Sequence, residues 1–355
     1  MEVFTPMERQ GYEQVVFNYD KVSGLKAIIA IHDTTLGPSL GGVRMWPYKS
    51  EEEALTDALR LARGMTYKSA AMGLNLGGGK GVIIGDPRKD KTEELFRAFG
   101  KFVDTLGGRY ITAEDVGTTT DDMDIIKCYT DHVVGLAGTS GNPSPVTAFG
   151  TFRGMQACAR HVFGDEGLAG KKVVIQGVGN VGYYLTERLI NAGAEVYVAD
   201  LFPDKIERAA ELGAHVIPPD EVYGQECDIF APCALGGIIN DETVERLKAK
   251  IVCGSANNQL LEDEHAKVLA SRNILYAPDF VVNGGGLLNV AGELTPGGYN
   301  REWALSRVSR IYDILLRVFQ IAEERGIGTG EAANSLAEDR IRKALEQKRI
   351  YMPSS

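Results

Sequence analysis

The sequence lacks the features that mark membrane, exported and nucleic-acid-binding proteins. It contains no apolar run of about 18 residues, the length that a membrane-spanning helix requires. The segment Met1–Thr5 is neither a basic leader nor an apolar stretch, so we expect no export signal. Acidic side chains outnumber basic ones by 48 to 38, which gives a net charge of −10. Because no basic stripe occurs, we expect neither nucleic acid nor a membrane as a partner.

Cysteine is sparse and shows no pairing pattern. An odd number of scattered cysteines without a C-x-x-C pair argues against a disulfide framework and against a structural zinc site. The pattern therefore predicts a reducing, cytoplasmic location and no bound metal. The five cysteines are Cys128, Cys158, Cys227, Cys233 and Cys253.

The chain has the length and patterning of an α/β protein with two domains. Its 355 residues exceed what one ordinary hydrophobic core organises, and predicted strands alternate with predicted helices. Gly, Ser, Asn and Pro cluster between Gly135 and Pro145, which indicates a linker. We predict a first domain over residues 1–139 and a second over 140–325. The segment 326–355 is expected to return to the first domain.

In the first third, the apolar segment Leu25–Ile31 predicts a strand, and Gly37–Gly42 predicts turns. Ser50 and Glu53 have the spacing of a capping box and predict the start of a helix, and Lys68 lies just beyond its apolar stripe. That stripe consists of Ala54, Leu55, Ala58, Leu59, Ala62 and Met65.

A second helix is predicted to begin at Thr92 and to end at Gly107-Gly108. The following segment, Arg109–Thr112, predicts a strand that carries Ala113-Glu114-Asp115 to its carboxyl end. Active-site residues commonly occupy that position. The helix is expected to bury Leu95, Phe96, Phe99, Phe102 and Val103.

After the linker the pattern becomes regular and predicts a doubly wound parallel sheet. Two amphipathic helices, from about Arg301 and about Thr329, are predicted to end the chain. The predicted strands begin near Val173, Glu195, Asp228, Lys250 and Ile274.

A glycine-rich turn after the strand Lys172–Gln176 predicts a dinucleotide site. Its glycines are Gly177, Gly179 and Gly182, and a helical stretch follows them. They suit a tight turn, close approach of a pyrophosphate and close helix packing. Asp200 ends the next predicted strand and can accept hydrogen bonds from ribose hydroxyls, and no arginine occurs at 201–204, which favours NAD over NADP. The alternative is a glycine-rich turn in an α/β domain that binds nothing.

The string Leu76–Gly81 contains three glycines before Lys80. A phosphate-binding P-loop would need glycine at Leu74 and serine or threonine at Gly81, so that interpretation fails. A flexible turn with a solvated lysine remains open, because most lysines are surface charges.

Seven motifs follow one another along the chain: Gly41–Arg44, Gly64–Lys68, Gly77–Lys80, Thr112–Thr118, Pro232–Gly237, Ala256–Leu260 and Tyr276–Asp279. Together they give the chain a resemblance to the glutamate/leucine/phenylalanine/valine dehydrogenase family, nearest to its leucine-specific members. The resemblance covers nearly the whole chain. It implies two α/β domains separated by a cleft, the second of the Rossmann type, and a homo-oligomer, which the resemblance suggests is an octamer.

The resemblance implies that the chain converts an amino acid to a 2-oxo acid and ammonia. Lys68 is similar to the lysine that holds the substrate carboxylate, Lys80 to the catalytic lysine, and Asp115 to an aspartate that transfers protons. A lysine works as an acid or base near neutral pH only if burial or a nearby cation lowers its pKa. Taken alone, Asp115 could equally be a turn or cap residue.

Further cofactor residues follow from the resemblance. Asn257 and Asn258 are similar to residues near the nicotinamide ribose, and Asn283 to one on a hinge helix beside the cofactor. Cys233 and Ala234 resemble backbone neighbours of the dinucleotide, although Cys233 also suits a small core position. The remaining positions of this set are Asn180, Val181, Leu201 and Ala256.

By resemblance, the substrate side chain contacts only aliphatic residues, which disfavours glutamate because its carboxylate would be unpaired. Ala113 is typical of leucine enzymes, whereas Leu287 is more typical of phenylalanine enzymes. We therefore expect leucine, isoleucine and valine as substrates, with phenylalanine or valine dehydrogenase as the alternative within the family. The expected substrate residues besides Lys68 are Leu40, Gly41, Gly42, Met65, Ala113, Leu287 and Val290.

Two other classes of protein are possible on the sequence. A non-catalytic NAD-binding sensor would not need Lys68, Lys80 and Asp115, and all three are present. A hydroxy-acid oxidoreductase usually relies on a histidine base. None of the five histidines lies in a glycine-rich turn or at a predicted strand end: His32, His132, His161, His215 and His265.

Overall fold

The computed structural model describes residues 3–350, with side chains as far as residue 347. These residues divide into two compact units. The first contains the chain up to Gly141, the segment Val290–Asn300 and the stretch from Ala337 onward; the second contains Asn142–Asn289 and Arg301–Leu336. Within residues 3–350, no helix has both the length and the apolar character that crossing a membrane requires.

The first unit is built on a mixed five-stranded sheet. The strands are β1 (Gln14–Tyr19), β2 (Lys26–Asp33), β3 (Ser39–Trp46), β4 (Gly77–Ile84) and β5 (Tyr110–Glu114). The helices are α1 (Phe4–Gln10), α2 (Glu51–Ala71), α3 (Glu93–Asp104) and α4 (Thr120–Lys127). The spatial order is β1-β2-β4-β3-β5. Strand β2 is antiparallel to both of its neighbours, whereas β3 is parallel to β4 and to β5.

Separate apolar clusters pack against the central strands of this sheet. One cluster joins α3 and α4 to the strands, with Phe96, Phe99 and Tyr110 fully buried. The other joins α2 to the strands through Ala54, Leu55, Ala58, Leu59 and Ala62. The predicted apolar stripes of both helices are confirmed, although Met65 is only partly buried. Small alanines on α2 let this helix lie close to the sheet, which positions the residues near its end.

Two local predictions for the first unit differ from the structure. The predicted turns over Gly37–Gly42 are wrong from Ser39 onward, because that residue begins β3. The Ser50 hydroxyl caps α2 by accepting from the Glu53 N–H at 3.1 Å, as predicted. The Glu53 carboxylate, however, accepts from the Lys49 N–H at 2.7 Å and does not complete a capping box with Ser50.

The second unit contains a six-stranded parallel sheet. Its strands are β6 (Lys172–Gln176), β7 (Glu195–Ala199), β8 (His215–Val216), β9 (Ile229–Pro232), β10 (Ile251–Val252) and β11 (Leu275–Tyr276). The order β11-β10-β9-β6-β7-β8 is that of dinucleotide-binding Rossmann folds. The predicted doubly wound sheet is thus confirmed. Strand β8 was missed, because two exposed residues are too few to show a periodicity.

The helices of this unit are α5 (Ser144–Phe163), α6 (Asn180–Asn191), α7 (Pro203–Glu211), α8 (Asp241–Arg246), α9 (Glu264–Ser271), α10 (Asp279–Val282), α11 (Gly285–Ala291), α12 (Arg301–Ser309) and α13 (Ile311–Arg325). The single helix predicted from Arg301 is therefore two helices, which meet at Arg310.

The last helix, α14 (Thr329–Ile350), contributes its later part to the first unit. There Arg340 donates to the carbonyl oxygen of Leu74 at 2.5 Å and to the side chain of Asn75 at 2.8 Å. The Tyr67 hydroxyl donates to Glu338 at 2.9 Å. The end of the chain thus holds the carboxyl end of α2 and the loop after it.

Candidate active site

Lys80 lies within β4, so the flexible turn that the string Leu76–Gly81 left open is wrong. Only 4% of Lys80 is exposed. The glycines before it let β4 pass close to its neighbours. A Cβ on Gly78 would lie 2.1 Å from the backbone nitrogen of Thr66 on α2, and one on Gly79 would lie 2.8 Å from the Ser39 hydroxyl. Three glycines in a row therefore serve close packing around a buried lysine.

Lys80 and Asp115 form an ion pair across the intervening strand β3. The Nζ of Lys80 lies 3.1 Å from the Oδ2 of Asp115, which directly follows β5. The contact crosses β3 at a position without a side chain. A Cβ on Gly42 would lie only 2.9 Å from the Cβ of Asp115. Gly42 therefore leaves the space that the Asp115 side chain occupies.

Two further residues of this cluster, Arg44 and Asp57, were not predicted. The Nε of Arg44 donates to the Oδ2 of Asp115 at 2.7 Å, and its Nη1 donates to the Oδ2 of Asp57 on α2 at 2.9 Å. The Tyr48 hydroxyl donates to the same oxygen of Asp57 at 2.7 Å. Alternation along a strand could have revealed Arg44, because Gly42 and Arg44 are two residues apart and share a face of β3.

The cluster shifts the pKa values of both members of the ion pair. Burial lowers the pKa of Lys80, Asp115 opposes this, and the Arg44 cation adds to the lowering. Burial also disfavours ionisation of Asp115, but the Lys80 and Arg44 cations outweigh it and lower the pKa of this carboxyl to about 2. The site therefore combines a stable carboxylate with a lysine that loses its proton more readily than usual, as proton transfer requires.

The other predicted substrate residues of the first unit surround the same strands. Lys68 and Met65 lie on α2, both partly buried. Leu40 on β3 and Ala113 on β5 are buried, and Ala113 pairs with Gly42. Leu287 and Val290 both lie on α11; Val290 is counted with the first unit and is partly buried, whereas Leu287 is counted with the second and is buried.

The predicted dinucleotide turn is a tight turn that leads into a helix without a side-chain cap. Gly177 has φ +94°, and a Cβ on Gly182 would lie 2.0 Å from the Gly177 carbonyl oxygen. A Cβ on Gly179, in contrast, would meet nothing within 4 Å. Gly179 is the N-cap of α6, and no side chain caps this helix. Asn180 and Val181 then begin its first turn, so their N–H groups suit an anion.

Asp200, at the end of β7, is bound to the backbone of this turn. Its Oδ2 accepts from the Val178 N–H at 2.9 Å, and its Oδ1 accepts from the Phe202 N–H at 3.1 Å. Each carboxylate oxygen has more than one lone pair, so the side chain retains acceptors for ribose hydroxyls. Leu201 beside it is exposed over 78% of its surface.

The remaining predicted cofactor residues follow β9 and β10. The Cys233 N–H donates to the Gln176 carbonyl oxygen at 2.8 Å, and a Cβ on Gly177 would lie 2.6 Å from the Cβ of Ala234. The Ala256 N–H donates to the Pro232 carbonyl oxygen at 2.9 Å. The carboxyl ends of four adjacent parallel strands thus carry the predicted residues, where such folds bind ligands.

The asparagines form a small network in the same unit. The amide of Asn283, which is buried, donates to the Oδ1 of Asn257 at 2.7 Å and to the Ser255 carbonyl oxygen at 3.2 Å. Asn257 is itself exposed, and Asn258 adopts a left-handed conformation with φ 50°. The contact from Asn283 thus holds the side chain of the exposed Asn257.

Family models and individual known proteins match this chain over nearly its whole length. The sequence model described as Glu/Leu/Phe/Val dehydrogenase, dimerisation domain, matches residues 12–132. The model described as Glutamate/Leucine/Phenylalanine/Valine dehydrogenase matches residues 138–200 and 203–349. The chain is 58% identical to a leucine dehydrogenase of Bacillus cereus, covering 99% of this chain and 97% of that one.

Two further relatives are close. The chain is 51% identical to a phenylalanine dehydrogenase of Caldalkalibacillus thermarum, covering 97% of this chain and 95% of that one. The crystal structure of an L-tryptophan dehydrogenase from Nostoc punctiforme matches with a TM-score of 0.86 at 47% identity, covering 96% of this chain and 99% of that one. The chain therefore belongs to the glutamate/leucine/phenylalanine/valine dehydrogenase family.

Proposed function

We propose that this protein is an NAD-dependent dehydrogenase that reversibly deaminates branched-chain aliphatic L-amino acids, with leucine preferred, to 2-oxo acids and ammonia. The ion pair between the buried Lys80 and Asp115 is the observation that carries the proposal, because oxidative deamination needs an acid–base pair. Identity to the Bacillus cereus leucine dehydrogenase is higher than to the Caldalkalibacillus thermarum phenylalanine dehydrogenase, 58% against 51%.

Each residue of the first unit has a distinct role in this proposal. Lys68 supplies the fixed cation for the substrate carboxylate. Lys80, when neutral, removes a proton from the attacking water, and Asp115 transfers protons to and from the substrate nitrogen. Residues 1–139 then bind substrate and support oligomerisation, and residues 140–325 bind the dinucleotide.

NAD is the proposed cofactor, and it would accept the hydride from the substrate Cα. Gly177, Gly179 and Gly182 would hold the pyrophosphate with the uncapped start of α6. The carboxylate of Asp200 would accept from the ribose hydroxyls and repel a 2′-phosphate. Asn257 and Asn283 would hold the nicotinamide half.

The substrate preference is proposed from the aliphatic residues. Leu40 and Ala113 are buried and offer no partner for a charged substrate side chain, so glutamate would be left with an unpaired carboxylate. Leu287 and Val290 complete the proposed set. Phenylalanine is the second candidate substrate, because Leu287 matches the pattern of phenylalanine enzymes.

We propose that the enzyme assembles into a homo-oligomer, and the resemblance suggests an octamer. We also propose that it is located in the cytoplasm. The match of residues 12–132 to a domain described as a dimerisation domain supports self-association.

The test is a panel of steady-state measurements with purified protein. Formation of NADH is followed with leucine, isoleucine, valine and phenylalanine at alkaline pH, and consumption of NADH with the matching 2-oxo acids and ammonia. We expect the highest kcat/KM with leucine. No turnover with any of the four amino acids would reject the enzyme in favour of an NAD-binding sensor, and a preference for phenylalanine would reject the substrate assignment.

A further inference from the structure

We propose that Arg44 is a positioning residue that holds the Oδ2 of Asp115 together with Lys80 and so reserves the Oδ1 of Asp115 for proton transfer. This inference rests on the proposed function, since it assigns a role within the same acid–base pair. Arg44 belongs to the motif Gly41–Arg44, but the resemblance implied no role for this residue.

The two oxygens of Asp115 have different surroundings. Oδ2 receives the Nε–H of Arg44 at 2.7 Å and lies 3.1 Å from Nζ of Lys80. Oδ1 receives no hydrogen bond from any residue in the described part of the chain. One quarter of the Asp115 side chain is exposed, so a substrate or a water molecule can reach the carboxylate. Two charge-assisted contacts on one oxygen fix the carboxylate plane and leave the other oxygen to accept a proton.

Arg44 can act as a clamp because its own position is fixed. Its Nη1 donates to Asp57 at 2.9 Å while its Nε binds Asp115, so the planar guanidinium spans two carboxylates. The Oδ2 of Asp57, which Arg44 binds, also accepts from the Tyr48 hydroxyl at 2.7 Å. The exposed Arg60 binds only the other oxygen of Asp57, at 3.0 Å. A lysine could not reproduce this fork, because its ammonium is a point charge on a flexible stem.

The charged groups that act on Lys80 come from three elements besides its own strand. They are Arg44 on β3, Asp57 on α2 and Asp115 at the end of β5. Among these, Arg44 lowers the pKa of Lys80, whereas Asp57 and Asp115 raise it. Substitution of Arg44 and of Asp57 should therefore move the protonation of Lys80 in opposite directions.

The guanidinium can also be reached from solvent. Arg44 and Asp57 line a cavity of about 520 Å³ together with Trp46, Tyr48 and Val116, and 21% of the Arg44 side chain is exposed. A small cation such as guanidinium can therefore enter the space that a shortened side chain at position 44 would leave.

The experiment compares Arg44→Met with Arg60→Met as the matched control. Arg60 lines the same cavity and binds Asp57, but it does not touch Asp115. We expect Arg44→Met to lower kcat with leucine by about 100-fold, since a misplaced catalytic group costs that much. The KM for leucine should change little, and Arg60→Met should change kcat by less than about fivefold.

The pH profile separates positioning from a merely structural role. In kcat/KM against pH, the acid limb of Arg44→Met should move to higher pH. That of Asp57→Asn, which retains an acceptor for Arg44, should move to lower pH. Guanidinium at millimolar concentration should restore part of the activity of Arg44→Met and none of that of Lys80→Ala.

The outcomes are distinct. Wild-type protein without any amino-acid turnover overturns the proposed function itself. Active wild type with Arg44→Met no more impaired than Arg60→Met overturns the positioning role, as does an unmoved acid limb in both variants. If Arg44→Met does not fold, the direction of the shift in Asp57→Asn decides: a limb that moves to higher pH, or not at all, refutes the proposed arrangement.

Discussion

The Nζ of Lys80 lies 3.1 Å from the Oδ2 of Asp115, although their strands are separated in the sheet by β3. Such a contact requires that the intervening strand carry no side chain where the two residues meet. Gly41 and Gly42 of β3 meet this requirement. The ion pair thus depends on three strands and on two positions that carry no side chain.

Removing the amine of Lys80 should abolish turnover and leave the dinucleotide site intact. Lys80→Ala is expected to lower kcat by about 10³-fold, within the range that positioned acids and bases contribute. Binding of NAD, measured by calorimetry, should change little because the cofactor residues belong to the second unit. Lys89→Ala, in which an exposed lysine is lost, serves as the control. A kcat near that of the wild type would refute the role of Lys80.

The deamination rate should fall as the solution becomes more acidic, because Lys80 must be neutral to act as a base. Burial places the pKa of Lys80 below that of a free lysine, so the acid limb should lie below the pH at which an exposed lysine titrates. The pKa of Asp115, lowered to about 2 in the protein without substrate, lies below the measured range, so this carboxyl adds no second limb. The measurement is kcat/KM for leucine across the range from about pH 6 to about pH 11. A limb at the position of an exposed lysine would contradict the assignment.

Elements with strong local signals could be predicted from the sequence. The Thr92 cap and the apolar spacing of α3 determine that helix almost alone, and the turn from Gly177 to Gly182 has a backbone requirement that few sequences meet. In contrast, Ser39–Gly42 suggested turns because glycine is typical of turns. Its strand conformation depends on β4 and β5, which the local sequence does not contain.

The candidate site shows the same division. Lys80 and Asp115 each had an ordinary alternative when considered singly, and only the resemblance joined them. Arg44 and Asp57 are brought together by the packing of α2 on the sheet. No spacing rule relates a strand residue to a helix residue in this way, so their contact became visible only in three dimensions.

The size of the substrate site should respond to position 113. Ala113 is buried at the carboxyl end of β5, and its methyl group is proposed to limit the substrate side chain. Ala113→Gly should raise the ratio of kcat/KM for phenylalanine over leucine by about tenfold, because one methyl group in an apolar pocket is worth about 1–3 kcal/mol. Ala113→Val should change the ratio in the opposite direction. Equal ratios in both variants would place the residue outside the pocket.

The choice between NAD and NADP should depend on the charge of Asp200. Asp200→Asn retains an oxygen for the Val178 N–H but no longer repels a 2′-phosphate. The preference for NAD over NADP, measured as a ratio of kcat/KM, should fall by about tenfold or more, the value of one hydrogen bond to a charged group. Asp204→Asn removes an exposed carboxylate four residues away and should leave the ratio unchanged. An unaltered preference in Asp200→Asn would assign the discrimination to other residues.

The segment Gly41-Gly42 of β3 should not tolerate a side chain. A Cβ on Gly41 would lie 1.7 Å from the carbonyl oxygen of Gly79, so Gly41→Ala must separate β3 from β4 or distort both strands. We expect a loss of at least about 3 kcal/mol in the free energy of unfolding, at the upper end for overpacked cores, and a lower Tm in calorimetry. The matched control is Gly64→Ala within α2, where an added Cβ would meet nothing within 4 Å. Alanine favours a helix over glycine by about 1 kcal/mol, so this variant should be more stable than the wild type. A Gly41→Ala protein with the same Tm as the wild type would show that β3 and β4 do not approach so closely. The glycines of β3 would then not explain how Lys80 comes into contact with Asp115.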